Sequence, residues 1–214
     1  MIRATAIVPV KRFAAAKQRL ATGLDDARKR ELIEAMLRDV LTAIGEARTV
    51  ERTLVVTGEA AAARLASELG AEVVPDATDT GHSEAALVGI EAAAAPNPAA
   101  CVVLLPGDCP LLEPRELDRL LTGVPDHYIA VVPDRHGTGT NALVLSPPDA
   151  IRPSFGEGSC ERHVASARRA GVPFSVEHIE SLALDLDTPA DVIALTTAVE
   201  GGGRAKNTAR ALGI

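Results

Sequence analysis

The stretch Cys101-Val-Val-Leu-Leu-Pro-Gly-Asp-Cys-Pro-Leu-Leu112 contains a short apolar run that leads to an acidic residue. Its first five residues are typical of a strand that is covered on both faces of a sheet. Pro106 and Gly107 end this strand, and Asp108 is the first charged group after it. Ligands of open α/β sheets bind beyond the carboxyl ends of the strands, where Asp108 could ligate Mg²⁺, which prefers oxygen ligands. Its competing role is to cap the helix near Glu116.

Strands and amphipathic helices alternate along the rest of the chain. Strands at 4–10, 53–57 and 71–75 are separated by helices at 26–47 and 59–69, each with an apolar stripe or a glycine stop. With right-handed crossovers, this β-α-β-α-β order predicts a parallel sheet in a layered α/β fold. Further strands are predicted at 101–105, 128–133 and 172–176, and further helices at 83–95, 113–121 and 159–170.

Composition narrows the class of protein and of partner. The chain of 214 residues fits one domain, 1–214, and its 47% hydrophobic residues suffice for a core of Ala, Leu and Val. No apolar run is long enough to span a membrane, and the N-terminus is typical of a strand, not of a signal peptide. The three cysteines are odd in number and lack metal-ligand spacing, which favours reduced thiols in a cytoplasm. The net charge of −7 argues against a nucleic-acid partner.

A basic segment follows the first strand, at the expected ligand end of the sheet. Its four cations within nine residues are Lys11, Arg12, Lys17 and Arg19. Such a loop could hold phosphates through point charges and an arginine fork. Alternatively, it is a solvated loop paired with Asp25 and Asp26. Neither a P-loop nor a dinucleotide-binding fingerprint follows this strand.

Two glycine-rich loops offer polar groups to a ligand. The first, at 134–146, carries Thr138, Thr140 and Asn141 and leads into a strand; a plain hairpin turn is the alternative. The second precedes a helix for which Ser159 suits the N-cap. Its glycines would leave first-turn amides open for a phosphate or carboxylate. We expect His163, one turn inside this helix, to pack or to face solvent, and not to act as a base.

Two further segments are notable, an acidic segment at residues 185–187 and the C-terminal tail. Asp185 and Asp187 alternate with leucines, which predicts that both face one side of a strand. Adjacent carboxylates repel each other unless a cation lies between them. Thr188 and Pro189 begin the next helix, and Asp191 is interpreted as its cap. We expect the tail, 199–214, to be partly flexible.

Together these segments resemble the guanylyltransferases of coenzyme F420 biosynthesis, over nearly the whole chain. The markers are Val8-Pro-Val-Lys-Arg with Ala16-Lys-Gln-Arg-Leu, Pro106-Gly-Asp-Cys-Pro, Asp134-Arg-His-Gly-Thr-Gly-Thr-Asn-Ala-Leu, Phe155-Gly-Glu-Gly-Ser with Arg162-His163, and Asp185-Leu-Asp-Thr-Pro-Ala-Asp. Each motif is weak alone, but five in this order are a specific signal. The GTGTNAL and FGxGS pair separates this family from other nucleotidyltransferases with a similar sheet.

The resemblance implies a single-domain nucleotidyltransferase fold, a mostly parallel mixed sheet flanked by helices on both faces. It also assigns roles to individual residues. Asp108 and Asp185 would hold Mg²⁺, with Asp187 helping directly or through water. Lys17 would contact the triphosphate, as would Lys11 and Arg19, and Thr140, Gly156 and Ser159 match the family's phospho-acid positions. The chain departs from the family at Cys160, where an aromatic is commoner, and at Ser83-Glu84, where Leu-Asn is frequent; the Glu84 carboxylate could accept hydrogen bonds from guanine.

The implied activity is transfer of GMP from GTP to a small phospho-acid with release of pyrophosphate. Phosphoenolpyruvate is the favoured acceptor, 2-phospho-L-lactate is another, and the reaction is a step of coenzyme F420 biosynthesis. The implied protein is a cytoplasmic monomer or homodimer without nucleic-acid or membrane partners. Two alternatives stay open. One is a nucleotidyltransferase that uses CTP, or a 3-phosphoglycerate, molybdopterin-like or sugar phosphate acceptor. The other is a non-catalytic nucleotide-binding domain.

Overall fold

The computed structural model of the protein describes residues 4–13, 25–77, 81–94 and 99–214. The strands in these ranges are β1 (Ala4–Val10), β2 (Val50–Thr57), β3 (Glu72–Pro75), β4 (Val102–Leu104), β5 (Tyr128–Pro133), β6 (Thr140–Ser146) and β7 (Phe174–Val176). The helices are α1 (Asp26–Glu46), α2 (Ala60–Glu68), α3 (His82–Ala93), α4 (Pro114–Leu121), α5 (Ser159–Ala170), α6 (Glu180–Ala183), α7 (Pro189–Glu200) and α8 (Lys206–Leu212). None of the helices in these ranges combines the length and the apolar composition that crossing a bilayer requires.

All the strands described above belong to one seven-stranded sheet in the order β3-β2-β1-β4-β6-β5-β7. β6 runs antiparallel to both of its neighbours, β4 and β5, whereas the other neighbouring pairs are parallel. The prediction of a single α/β domain with a mostly parallel mixed sheet is therefore confirmed. The carboxyl ends of the parallel strands lie together along one side of this sheet, which we term its carboxyl edge. β6 begins at this carboxyl edge because its direction is reversed.

Alternating residues of β1 show how the sheet separates two apolar layers. Ala6 and Val8 face the layer that contains α1, α2 and α4, whereas Ile7 faces the layer that contains α3 and α5. Helices on both faces are thereby confirmed. α3 lies very close to the sheet because Gly89 has no side chain: a Cβ there would lie 2.3 Å from the Ile7 Cγ2 atom.

The C-terminal tail, which we expect to be partly flexible, forms the end of α7 and all of α8. The Asp39 carboxylate on α1 accepts hydrogen bonds from the backbone N–H groups of Asn207 and Thr208, at 3.2 and 2.8 Å. It also accepts hydrogen bonds from their side chains, each at 2.7 Å. These bonds join α8 to α1. Partial mobility of the tail stays a prediction.

Candidate active site

A cavity of about 250 Å³ lies beyond the carboxyl ends of β1 and β4. Its apolar side comes from α1 and from the end of β1, through Pro9, Val10, Ile33, Met36 and Leu37. Its other lining residues are Lys11, His82, Gly107, Asp108 and Asp187. Lys11, Asp108 and Asp187, three of the residues singled out from the sequence, therefore share one cavity at the ligand end of the sheet.

The basic segment is described only in part. Lys11 is exposed at the cavity, whereas Lys17 and Arg19 lie outside the described residues. Asp25, a predicted partner of this segment, caps α1: its carboxylate accepts a 2.8 Å hydrogen bond from the Arg28 N–H group. The roles of Lys17 and Arg19 stay predictions.

A backbone hydrogen bond holds Asp108 next to the acidic segment, residues 185–187. The competing role of Asp108 as a helix cap is wrong, because Glu113 occupies the N-cap of α4. Instead, the Asp108 carbonyl oxygen accepts a 3.2 Å hydrogen bond from the Leu186 N–H group. Since Leu186 lies between Asp185 and Asp187, this bond holds both aspartates close to the loop that follows β4.

The acidic segment is extended, but the prediction that it is a strand is wrong. It connects α6 to α7 and takes no part in the sheet. The predicted alternation is nevertheless correct, because Leu184 and Leu186 are buried while Asp185 and Asp187 are partly exposed. Alternation indicates which side of an extended segment is buried, but not whether another strand lies beside it.

The three aspartates act on one another electrostatically. The pKa of Asp185 is raised, first by burial and then by the negative charge of Asp108, with a smaller contribution from Asp187. The Asn141 side-chain amide opposes this rise by donating a 3.4 Å hydrogen bond to the Asp185 carboxylate. Asn141 is held in turn by a 2.7 Å bond to the Leu182 carbonyl oxygen. A cation between these carboxylates would relieve their repulsion.

The donor set suits magnesium, although a complete cage of protein ligands is not formed. Among the described residues, no group of three or more His, Cys, Asp or Glu side chains is arranged to hold a metal ion. Mg²⁺ commonly needs only one or two carboxylates, with waters and substrate phosphates completing its shell. Asp108 and Asp187 at the cavity, with Asp185 beside them, supply donors of that kind.

Asp191 caps α7 as predicted, but as the N3 residue of a capping box whose N-cap is Thr188, and it also holds Asp187 in place. Its carboxylate accepts hydrogen bonds from the N–H groups of Asp187 and Thr188, at 3.0 and 2.7 Å, and from the Thr188 hydroxyl at 2.9 Å. Arg135 forms an ion pair with it. Burial would raise the pKa of Asp191, but the hydrogen bonds from Thr188 and Asp187 and the charge of Arg135 together lower it. Arg135 was not predicted, since its partner is distant in the sequence.

A second polar cluster lies where the phospho-acid is predicted to bind. The Ser159 hydroxyl is 3.1 Å from the Thr140 Oγ1 atom, which is 3.0 Å from the His163 Nδ1 atom. The His163 Nε2 atom accepts a 2.8 Å hydrogen bond from the Ser154 N–H group. His163 is fully buried, so it packs in the interior and does not face solvent, the other environment that we predicted. Its two hydrogen bonds were not predicted.

The start of α5 differs from the prediction in two respects. Gly158, in the left-handed conformation at φ 69°, is the N-cap, and Ser159 is the first helical residue. Two of the first-turn amides are not open, because the Ser159 N–H bonds to the Gly156 carbonyl and the Cys160 N–H to the Thr138 carbonyl. The hydroxyl groups are therefore donors that this cluster offers to an anion, whereas these two amides are not.

Glu84, predicted to contact the base, instead has a protein partner. The Arg152 guanidinium donates to both of its carboxylate oxygens, at 3.0 and 3.2 Å, at an exposed position. The neighbouring Ser83 hydroxyl accepts a 2.9 Å hydrogen bond from the Phe155 N–H group, and Gly81 is the N-cap of α3. The start of α3 is therefore joined to the glycine-rich loop that precedes α5.

Comparisons with known proteins show which proteins this chain is similar to. A family model described as "Guanylyl transferase CofC like" matches residues 4–214. A phosphoenolpyruvate guanylyltransferase from Conexibacter woesei is 47% identical over 193 residues, 89% of this chain and 86% of that protein. A 3-phospho-D-glycerate guanylyltransferase from Phenylobacterium zucineum is 38% identical over 89% of this chain and 88% of that protein. A crystal structure of a nucleotide-diphospho-sugar transferase from Desulfovibrio desulfuricans superposes with a TM-score of 0.78 at 18% identity, covering 99% of this chain and 94% of that one, which supports the fold alone.

Proposed function

The chain belongs to the CofC-like family of guanylyl transferases, and we propose that it transfers GMP from GTP to a small phospho-acid and releases pyrophosphate. One observation carries this proposal: Lys11, Asp108 and Asp187 meet in one cavity at the carboxyl edge of the sheet. Phosphoenolpyruvate is the favoured acceptor, because the more similar of the two relatives is named for it. The product would serve coenzyme F420 biosynthesis, as the family implies.

In the reaction, a phosphate oxygen of the acceptor attacks the α-phosphorus of GTP in line, and pyrophosphate leaves. A phosphate dianion is already a competent nucleophile, so the protein does not have to remove a proton from it. The work left to the protein is positioning and neutralisation of charge. Lys11, together with Lys17 and Arg19 of the basic segment, would bind the triphosphate oxygens.

Asp108 and Asp185 would hold Mg²⁺, with Asp187 contributing directly or through a water. When bound, this ion neutralises negative charge on the phosphates. Asp191 and Arg135 support that role by orienting the Asp187 backbone. Asn141 does the same for the Asp185 carboxylate.

The acceptor would lie against Thr140, Gly156 and Ser159. Gly156 has φ 106°, a left-handed conformation that favours glycine, and its carbonyl oxygen accepts a 3.0 Å hydrogen bond from the Ser159 N–H group. Glu84 would contact guanine through the carboxylate lone pairs that Arg152 does not occupy.

The test is pyrophosphate release with each of four nucleotides and each of three acids, followed by mass analysis of the product. The acids are phosphoenolpyruvate, 2-phospho-L-lactate and 3-phospho-D-glycerate. We expect GTP with phosphoenolpyruvate to be the best pair. The 3-phospho-D-glycerate relative supports that acid as a second candidate, and a guanylylated glycerate product would establish it. Turnover with CTP, or none with any pair, would contradict the proposal.

Two variants test the site itself. Asp108→Ala should reduce turnover at least ~100-fold, as removal of an electrostatic catalytic group does elsewhere. Asp126→Ala, at an exposed aspartate before β5, is the matched control and should keep normal turnover. Near-normal turnover of Asp108→Ala would remove Asp108 from the metal site. Lys17→Ala should lower turnover without changing the circular dichroism spectrum, and unchanged kinetics would remove Lys17 from the site.

The cytoplasmic location and the monomeric or homodimeric state stay proposals. The odd number of cysteines supports the first. Light scattering after size-exclusion chromatography measures the second: a mass near 22.2 kDa indicates a monomer, and twice that mass a dimer.

A further inference from the structure

His163 is a buried histidine that the proposed reaction does not use, yet both of its ring nitrogens are engaged. The Ser154 N–H group can only donate, and it lies 2.8 Å from the His163 Nε2 atom. Nε2 must therefore present its lone pair, without a proton. A neutral imidazole then carries its hydrogen on Nδ1, which faces the Thr140 hydroxyl oxygen at 3.0 Å. The ring thus donates a hydrogen bond to Thr140.

The electrostatic environment agrees with a neutral ring. Burial, and then the positive charge of Arg162, lower the pKa of His163 to about 4. A charged imidazolium would carry a hydrogen on both ring nitrogens. Its Nε2–H group would then face the Ser154 N–H group, and two donors cannot form a hydrogen bond with each other. His163 can therefore neither supply a positive charge for an anion nor serve as a general acid at neutral pH.

The hydrogens of the two hydroxyl groups can now be counted. Thr140 and Ser159 hold two hydroxyl hydrogens, and one of them is used in the 3.1 Å bond between the two groups. Because His163 already donates to Thr140, neither hydroxyl has to donate to the ring. One hydroxyl hydrogen is left for a ligand. Thr140 is the partly exposed member of the pair, whereas Ser159 is only 1% exposed.

His163 also joins the two sides of this cluster. Thr140 begins β6, whereas Ser154 belongs to the glycine-rich loop before α5, so the ring connects strand to loop. The Phe155 ring packs edge-on against His163 at 5.3 Å between centroids. Arg162 holds the same loop by donating to the carbonyl oxygens of Ser154, at 3.0 Å, and Phe155, at 3.2 Å.

We propose that His163 is a positioning residue for the phospho-acid: its Nδ1–H group occupies a lone pair of Thr140, so that the Thr140–Ser159 pair donates its remaining hydroxyl hydrogen to an anionic oxygen of the acceptor. This inference rests on the proposed function, because it takes Thr140 and Ser159 as acceptor-binding residues. The residue touches no reacting atom. Its effect should appear in acceptor binding and not in GTP binding.

Two substitutions separate the two hydrogen bonds of the ring. His163→Asn keeps an amide donor near the Nδ1 position but leaves the Ser154 N–H group without an acceptor. His163→Gln keeps an acceptor near the Nε2 position but removes the donor to Thr140. We expect His163→Gln to raise KM for phosphoenolpyruvate about tenfold or more, the effect of one misdirected hydrogen bond to a charged group. KM for GTP should stay within about twofold, and His163→Asn should recover most of the acceptor affinity.

The tautomer of the ring gives a readout that does not depend on activity. In wild-type protein labelled with ¹⁵N-histidine, two-bond ¹H–¹⁵N spectra should show His163 with its proton on Nδ1. A proton on Nε2 would overturn the inference, even if both variants failed to fold. His127→Asn, at an exposed histidine before β5, is the control for both measurements.

The outcomes distinguish this inference from the proposed function. If wild-type protein guanylylates none of the acids, the proposed function fails, whatever the tautomer. If the wild type is active but His163→Gln keeps the wild-type KM for phosphoenolpyruvate, only the positioning role of His163 is overturned. An equal rise of both KM values would also overturn it, because that result indicates a general structural defect.

Discussion

Lowering the pH should destabilise the folded protein through His163. The ordinary pKa of histidine, about 6.5, applies in the unfolded chain. In the folded protein, burial and then Arg162 hold the pKa at about 4. Between these values the unfolded chain binds a proton that the folded protein does not. The free energy of unfolding therefore falls as the pH decreases through this window, and it is recovered above the unfolded pKa.

The size of this effect follows from the two pKa values. Integrating the linkage relation from about pH 7.5 to about pH 5 gives a loss of about 2 kcal/mol, and the full window gives about 3 kcal/mol. The 0% exposure of the side chain means that solvent screening does not reduce this figure much. Other groups also titrate over the same range, so the contribution of His163 must be isolated by difference.

The assay is urea denaturation of the wild type and of His163→Asn at a series of pH values. The variant starts from a lower stability, but it should lose about 2 kcal/mol less than the wild type over the same interval. His127→Asn, which removes an exposed histidine, should lose as much as the wild type. Parallel curves for the wild type and His163→Asn would refute the reasoning, because His163 would then titrate alike in both states.

Three further predictions concern packing, the tail and the support of the metal site. Gly89→Ala should lower the free energy of unfolding by about 1–3 kcal/mol, because the new Cβ would lie 2.3 Å from Ile7. Gly45→Ala, whose Cβ would meet no described atom within 4 Å, should raise it by up to about 1 kcal/mol, and urea denaturation of both variants tests the contrast. Asp39→Ala should lower the free energy of unfolding by about 1–3 kcal/mol and speed amide exchange in α8, because four hydrogen bonds are lost. Protection of the α8 amides from exchange equal to that in the wild type would contradict this. Asp191→Asn should raise the Mg²⁺ concentration for half-maximal turnover about tenfold, which a magnesium titration measures, and an unchanged midpoint would separate Asp191 from the metal site.

Elements whose signals are local were predicted well. The bounds of β5 agree with the prediction, and so does the end of α5, because Pro133 ends the strand and Gly171 ends the helix. The fold class followed from the same kind of signal. These are short-range effects of backbone stereochemistry, and a single sequence carries them in full.

Features that depend on distant partners were not predicted. α8 is joined to α1 through Asp39, 168 and 169 residues before its partners, and its own segment carries no comparable signal. The Ser159 and Cys160 amides at the start of α5 were wrongly expected to be open, and the carbonyl that takes the Cys160 amide belongs to Thr138, in another loop. Similarly, nothing near His163 in the sequence indicates that Thr140 faces it.

The reversed direction of β6 explains why the two halves of the site lie together. A parallel strand would end at the carboxyl edge of the sheet. β6 instead begins there, so its first residues and the hairpin loop that connects β5 to it lie at this edge. Within that one connection, Arg135 pairs with Asp191 at the start of α7, Asn141 bonds to Asp185, and Thr140 bonds to His163. The proposed metal side and the proposed acceptor side are therefore positioned by neighbouring residues of a single hairpin. This geometry suits the proposed reaction, in which an acceptor oxygen would meet the α-phosphorus of GTP in line, because an error in the hairpin would move both sides together and leave their separation largely unchanged.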